Sequence, residues 1–172
     1  MKSNDSVDAI ELLKEDHKTV KKLFKSFEAA GDAEEDEKKT IVEQITNALE
    51  VHATIEEEIF YPAVKKARAQ QTKDEVLEAY EEHKQIKILL GALKGLSSDD
   101  ETYDMKVKVL KEDVEHHVKE EEGEMFPDAR KFLRKEGLQS LGEKMSERKE
   151  ELESDSSQSM NDHTKSKHRA AN

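Results

Sequence analysis

Six residues of this 172-residue chain could do chemistry, and they come in two matching sets. His17 is followed by His52, and His52 by Glu56 and Pro62, at offsets of 35, 4 and 10. His83 is followed by His117, and His117 by Glu121 and Pro127, at offsets of 34, 4 and 10. The neighbouring text agrees. Asp16-His17-Lys18-x-Val20-Lys21-x-Leu23 echoes Glu82-His83-Lys84-x-Ile86-Lys87-x-Leu89, and the chain's two prolines follow Phe60-Tyr61 and Met125-Phe126. Imidazole and carboxylate are both metal ligands. Two copies folded face to face would offer four imidazoles and two carboxylates to a pair of metal ions.

A single histidine on an apolar helix face is usually a core residue with a hydrogen bond, and His-x-x-x-Glu alone is a weak signal in a glutamate-rich chain. The joint pattern is stronger. Each of four helical segments places one histidine in its apolar seam, and an unpaired carboxylate in such an interior costs several kcal/mol. A cation is the economical way to order them. Residues four apart share a helix face and lie about 5.4 Å apart, so His52 and Glu56 aim at one volume, as do His117 and Glu121. Pseudo-twofold symmetry most simply pairs His17 with His52 on one metal and His83 with His117 on the other, with Glu56 and Glu121 as bridges. That donor set suits a first-row transition metal and favours iron over zinc. The expected cofactor is two non-haem iron ions with an oxo or hydroxo bridge, each short of six ligands and open to a small molecule.

Other candidates are weaker. His116 with Glu120 has the same spacing, and only the proline alignment prefers His117 with Glu121. His163 and His168 lie in a polar stretch and are expected to be idle. Glu57, Glu58, Glu120 and Glu122 are expected on solvated faces, with one of them free to support a ligand. Tyr80, one turn before His83, is expected to pack, with a supporting role near the metals as the alternative.

The elements that must position these residues are helical. The first segment, from about residue 7 to 30, carries the stripe Ile10, Leu13, His17, Val20, Phe24, Phe27, with Ser6 as N-cap and Gly31 as stop. The second opens in the acidic stretch 32–37 and carries Ile41, Ile45, Ala48, His52, Ile55 and Ile59 before Pro62, which should bend or interrupt it. The third opens on a capping box, Thr72 to Glu75, and carries Val76, Tyr80 or Ala79, His83, Ile86, Leu90 and Leu93. The fourth opens on a second box, Ser98 to Glu101, and carries Val107, Leu110, Val114, His117 and Glu121. Short connections make neighbours antiparallel. The expected fold is all-α, an up-down-up-down four-helix bundle over residues 1–142. Phe132, Leu133, Leu138 and Leu141 are expected to form a short C-terminal helical extension or cap, and residues 143–172 to follow as a polar tail, a frayed helix passing into disorder.

Composition narrows the function. Charged residues are 41% and apolar residues 34% of the chain, which suits narrow apolar seams on long helices. The net charge of −12 argues against a nucleic-acid partner. With no cysteine, disulfides, thiolate chemistry and iron–sulfur clusters are excluded. No apolar run approaches membrane-spanning length and the first residues lack a signal-peptide core, so a soluble, cytoplasmic protein without a membrane partner is expected.

The strings HATIEEEIFYP and HVKEEEGEMFP, each with a distant helix histidine before it, resemble the hemerythrin family in its HHE cation-binding branch. The resemblance spans about residues 10–132. It implies an up-down four-helix bundle around a non-haem diiron centre, with His17, His52, Glu56, His83, His117 and Glu121 as ligands and both glutamates bridging. Oxygen carriers of that family place two histidines four apart on the third helix; here the positions at that spacing around His83 are Ala79 and Lys87. A four-histidine site points away from oxygen carriage. The leading expectation is a protein that binds O2 or a related diatomic ligand for oxygen, iron or redox sensing or storage. The alternatives are an enzyme that disproportionates peroxide and an iron-sensing or buffering module. The sequence names no protein partner.

Overall fold

The structure, a computed structural model, describes residues 7–31, 35–67 and 70–169, with side chains at all of these except 35, 70–72 and 157–169. Among the described residues there is no strand. Helix α1 (Ala9–Ala30) packs on α2 (Glu35–Ile55), which continues through a π-turn (Glu56–Phe60) into α3 (Tyr61–Ala67). Helix α4 (Gln70–Lys94) packs on α5 (Tyr103–Glu120), which continues through a second π-turn (Glu121–Met125) into α6 (Phe126–Phe132). The result is the up-down-up-down bundle that the periodicity predicts. A further helix, α7 (Lys135–Arg169), lies along α1 and α2.

The helix ends differ in detail from those read in the sequence. The Asp8 carboxylate caps α1, accepting from the Ile10 and Glu11 amides at 2.9 and 3.0 Å; Ser6 lies outside the described residues. Gly31 ends the helix at φ 50, a backbone conformation that favours a residue without Cβ. Helix α4 begins at Gln70, two residues before the expected box, and the Thr72 side chain lies outside the described residues. Residues Ser98 to Glu101 do not cap α5. Asp100 instead accepts from the Thr102 amide and hydroxyl at 2.8 and 2.6 Å, closing a turn that delays the helix to Tyr103.

The largest difference is at the C-terminus. The extension expected to be short, and the tail expected to fray from helix into disorder, are one helix of 35 residues. Leu138, Leu141, Met145 and Leu152 recur at one face, and Met145 is fully buried. Gly142 lies so close to α1 that an added Cβ would overlap the Val7 carbonyl oxygen. Polar composition hid this helix because a single apolar stripe suffices when the partner surface is already built.

The core divides into two apolar clusters. One holds Ile10, Leu13, Ile55, Phe60, Val76 and Phe126. The other holds Val20, Leu49, Ile86, Leu90, Leu110 and Val114. On α1, Leu13 belongs to the first and Val20 to the second, with His17 between them. His52, His83 and His117 occupy the same intermediate level on α2, α4 and α5, so one polar layer separates two dry ones.

Candidate metal centre

Each of four helices contributes one histidine to that layer: His17 from α1, His52 from α2, His83 from α4 and His117 from α5, all buried. Glu56 and Glu121, also buried, are the first residues of the two π-turns. The prolines account for these turns. Pro62 has no N–H to donate, and its ring would strike the Glu58 carbonyl in a regular helix, so the backbone widens and the Tyr61 amide bonds the Glu56 carbonyl. Pro127 does the same to Gly123, and the Phe126 amide bonds the Glu121 carbonyl.

The structure brings all six expected residues together, in two groups that share Glu56: His17, His52, Glu56 and Glu121, and Glu56, His83 and His117. His17 Nε2 lies 3.3 Å from Glu121 Oε2, His52 Nε2 3.2 Å and His83 Nε2 3.3 Å from Glu56 Oε2, and His117 Nε2 3.5 Å from Glu121 Oε2. The imidazoles pair as the repeat implies, with ring centroids 4.9 Å apart for His17 and His52 and 4.7 Å for His83 and His117. His116 is exposed and lies beside Glu82 and Glu120, at 3.5 and 3.1 Å, in a separate group outside the buried layer that holds His117. His163 and His168 lie among the side chains not described.

Behind each ring stands a carboxylate. Nδ1 of His17 meets Glu122 at 2.8 Å, His83 meets Glu57 at 2.8 Å, His117 meets Glu82 at 2.7 Å, and His52 meets Asp16 at 3.4 Å. An ionised carboxylate only accepts, so each Nδ1 carries a proton and each Nε2 faces inward. Glu57 and Glu122, expected on solvated faces, stand behind His83 and His17, Glu122 from an exposed position. Glu58 and Glu120 do not; they pair with Arg148 and His116. Tyr80 donates to the Glu57 carbonyl oxygen, at 3.2 Å.

Sequence reasoning missed three residues at this layer. Asp16 and Glu82 precede the first histidine of each copy, so the repeat itself displays them. Tyr61 was hidden by the π-turn. Five residues of regular helix would swing it about 140° away from Glu56, whereas the i→i+5 turn carries it back over that residue. Its hydroxyl donates to Glu121 Oε1 at 2.8 Å and lies 3.3 Å from both Glu56 Oε2 and His83 Nε2.

The electrostatics call for a cation. His83 Nε2 and His117 Nε2 face each other at 3.1 Å, a clash of lone pairs unless a proton or metal ion lies between them. His17 Nε2, His52 Nε2, Glu56 Oε1 and Glu121 Oε2 are buried without a hydrogen-bond partner. Burial, with the Glu121 charge beside it, pushes the Glu56 carboxyl well above the ordinary range. Burial opposes ionisation of Glu121 as well, but His117 and His17 hold it below that range. Burial pushes His52 down to about 4, whereas neighbouring glutamates overcome burial at His17 and His117 and raise both. Four imidazoles oriented from behind by carboxylates, two central carboxylates and buried inward atoms without partners fit transition-metal ions.

Beside the four imidazoles is a cavity of about 20 Å³, walled mainly by apolar residues such as Val20, Leu49, Ile86, Leu90 and Val114, with Glu50 and Lys87 also on its lining. It has room for about one water-sized molecule.

Residues 8–129 match the sequence model of the hemerythrin HHE cation binding domain. A crystal structure of a hemerythrin HHE cation binding domain-containing protein from Mycobacterium kansasii superposes with a TM-score of 0.73. The two are 28% identical, with 85% of this chain and 87% of that one covered. A DNA nickase from Nostoc sp. strain PCC 7120 is 29% identical over 126 residues, which are 73% of this chain. The chain spans 34% of that relative's length.

Proposed function

This chain belongs to the hemerythrin HHE cation-binding domain family, and from that premise we propose that it holds two non-haem iron ions and binds O2 or a related small ligand, for sensing or storage. His17 and His52 would hold one ion and His83 and His117 the other, with Glu56 and Glu121 as the carboxylate donors that both imidazole pairs approach. The observation that carries this reading is the set of buried atoms left without partners, His17 and His52 Nε2 with a Glu56 and a Glu121 oxygen. They lie in a layer whose four imidazoles adjoin a small cavity. Iron there supplies a change of oxidation state and an open coordination position. The protein's part is to fix four imidazole tautomers from behind and to keep bulk water out with the apolar walls. The proposal includes a cytoplasmic setting, in keeping with the lack of cysteine and with the finding that no described helix is long and apolar enough to cross a membrane. Action on DNA is not part of it, since a net charge of −12 repels phosphate.

Metal analysis of the purified protein beside an optical spectrum tests the reading. About two irons per chain are expected, with a ligand-to-iron band that responds to O2, azide or nitric oxide. Iron-loaded protein whose spectrum ignores all three would sink it.

Tyr61 favours a second reading, disproportionation of two peroxide molecules to O2 and two waters. Burial and the Glu121 and Glu56 charges raise its hydroxyl well above the ordinary range, so it keeps its proton at neutral pH, within reach of both carboxylates. A held proton at that place suits O–O cleavage, where an oxygen leaves as water. O2 evolution from added peroxide, lost in His52→Ala, selects this reading.

A further inference from the structure

One of the four carboxylates behind the histidines is secured differently from the rest. Glu57 is held by Lys87 of α4, with Nζ at 2.7 and 2.8 Å from its two oxygens. Glu82 lies near His116 of α5, at 3.5 Å, and Glu122 is half-exposed. Asp16 is buried, and its second oxygen is bonded by Lys149 Nζ, from α7. Among the four, only Asp16 takes its cation from outside the matched region, residues 8–129. It also has the longest contact to its histidine, 3.4 Å against 2.7 and 2.8 Å for the others.

Lys149 is delivered by a helix that is well anchored around it. Met145, one turn earlier, is fully buried in the first apolar cluster, and Leu152, three residues on, packs against the same cluster. Arg148 grips Glu58, two residues beyond Glu56, through Nε at 2.8 Å and a second nitrogen at 3.2 Å. Gly142 permits the close approach of α7 to the start of α1. These contacts tie α7 to both helices that carry the first pair of histidines. A buried carboxylate that loses its cation is left largely uncompensated, so Asp16 without Lys149 has no reason to stay against His52.

We propose that α7 is a working part of the metal centre: Lys149 is a positioning residue that holds Asp16 against His52 Nδ1 and so sets that histidine's grip on the ion it shares with His17. This rests on the metal reading above. It makes the two ions unequal. The ion held by His17 and His52 depends on the docking of α7, and the ion held by His83 and His117 does not.

The test uses the full chain loaded with iron(II), comparing wild type, Lys149→Met, Lys149→Arg and, as a control on the exposed face of α7, Lys144→Met. Iron release to a chelator is followed in time, with circular dichroism and thermal unfolding of the metal-free proteins alongside. Groups that support a ligand are typically worth about 10–100-fold in metal affinity. Lys149→Met is expected to release one of its two irons about tenfold faster than wild type and the other at the wild-type rate, with the metal-free fold unchanged. Lys149→Arg restores slow release and Lys144→Met behaves as wild type. Wild type with two irons and a Lys149→Met variant that releases both at wild-type rates overturns this proposal alone. So does equal acceleration of both ions alongside a weakened metal-free fold. Wild type that holds no iron removes the metal reading and this proposal together.

Discussion

The two copies of the repeat agree on every central donor and differ in what surrounds them. The first supplies His17, His52 and Glu56 and the second His83, His117 and Glu121, with a carboxylate behind each ring. Five residues past the central glutamate the copies part. The first has Tyr61, whose hydroxyl crosses to Glu121 of the other copy; the second has Phe126, which stacks on His17 at 5.7 Å with nearly parallel rings. The first copy's Asp16 is backed by a lysine from α7, and the second copy's Glu82 by an exposed imidazole. Under the proposed reading a metal pair would constrain the donors equally in both halves. A reaction would need a proton donor on one side only, which leaves the surroundings free to diverge.

Removing a central carboxylate should break the site most. Glu56→Ala and Glu121→Ala each delete an oxygen donor that both imidazole pairs approach, and each is expected to lower iron affinity more than about 100-fold. Equilibrium dialysis with metal analysis reads this out. If one variant kept two irons while the other lost them, the copies would not be equivalent even at their donors.

Next in size is the exchange of the differing aromatic residues. Under the peroxide reading, Tyr61→Phe should keep two irons and lose about 100-fold or more of peroxide turnover, the range for a positioned proton donor. Phe126→Tyr should leave turnover near wild type, because that position faces His17 rather than the two carboxylates. Equal activity of Tyr61→Phe and wild type would reduce the difference between the copies to packing.

Iron uptake should also release protons. His17 and His117 are raised and Glu56 is raised well above its ordinary range, so in the metal-free site these groups hold protons that the metal must displace. His52, pushed down to about 4, is already neutral above that pH and releases none. Affinity therefore rises with pH, by about tenfold per unit for each proton displaced, and levels off once pH passes the raised values. Calorimetry in buffers of different ionisation enthalpy counts the protons. An affinity independent of pH between 5 and 8 would show that metal uptake displaces no protons from His17, His117 and Glu56 in that range.

A smaller effect, on stability, is expected where only one copy is covered. Gly142→Ala puts a methyl group into the Val7 carbonyl and must push α7 from α1, at about 1–3 kcal/mol. Thermal unfolding should fall by several degrees.

How much of this was legible without coordinates follows from period and chemistry. The seams of α1 and α5 could be read residue by residue, since regular helix repeats at 3.6. On α2 the buried positions are Val42 and Leu49 rather than Ile41 and Ala48, a choice that depends on what packs opposite. All six central residues were legible because the chain states them twice. Tyr61 was not, since its inward position exists only if the helix widens at Pro62. Lys149 was not, since the value of a lysine in a polar run depends on a buried aspartate 133 positions away.

The smallest expected effect tests the point on which the repeat alone had to decide. His116 and His117 each precede a glutamate by four residues, and the structure places only His117 in the buried layer. His116→Ala removes an exposed ring from Glu82 and Glu120 and should change iron content negligibly and stability by less than about 0.5 kcal/mol. His117→Ala removes a buried donor and should cost one iron per chain. The two substitutions are chemically identical and adjacent, so the difference between them reports helix orientation and nothing else. Iron loss from the first with retention by the second would turn α5 by about 100° and put Glu120, not Glu121, at the centre.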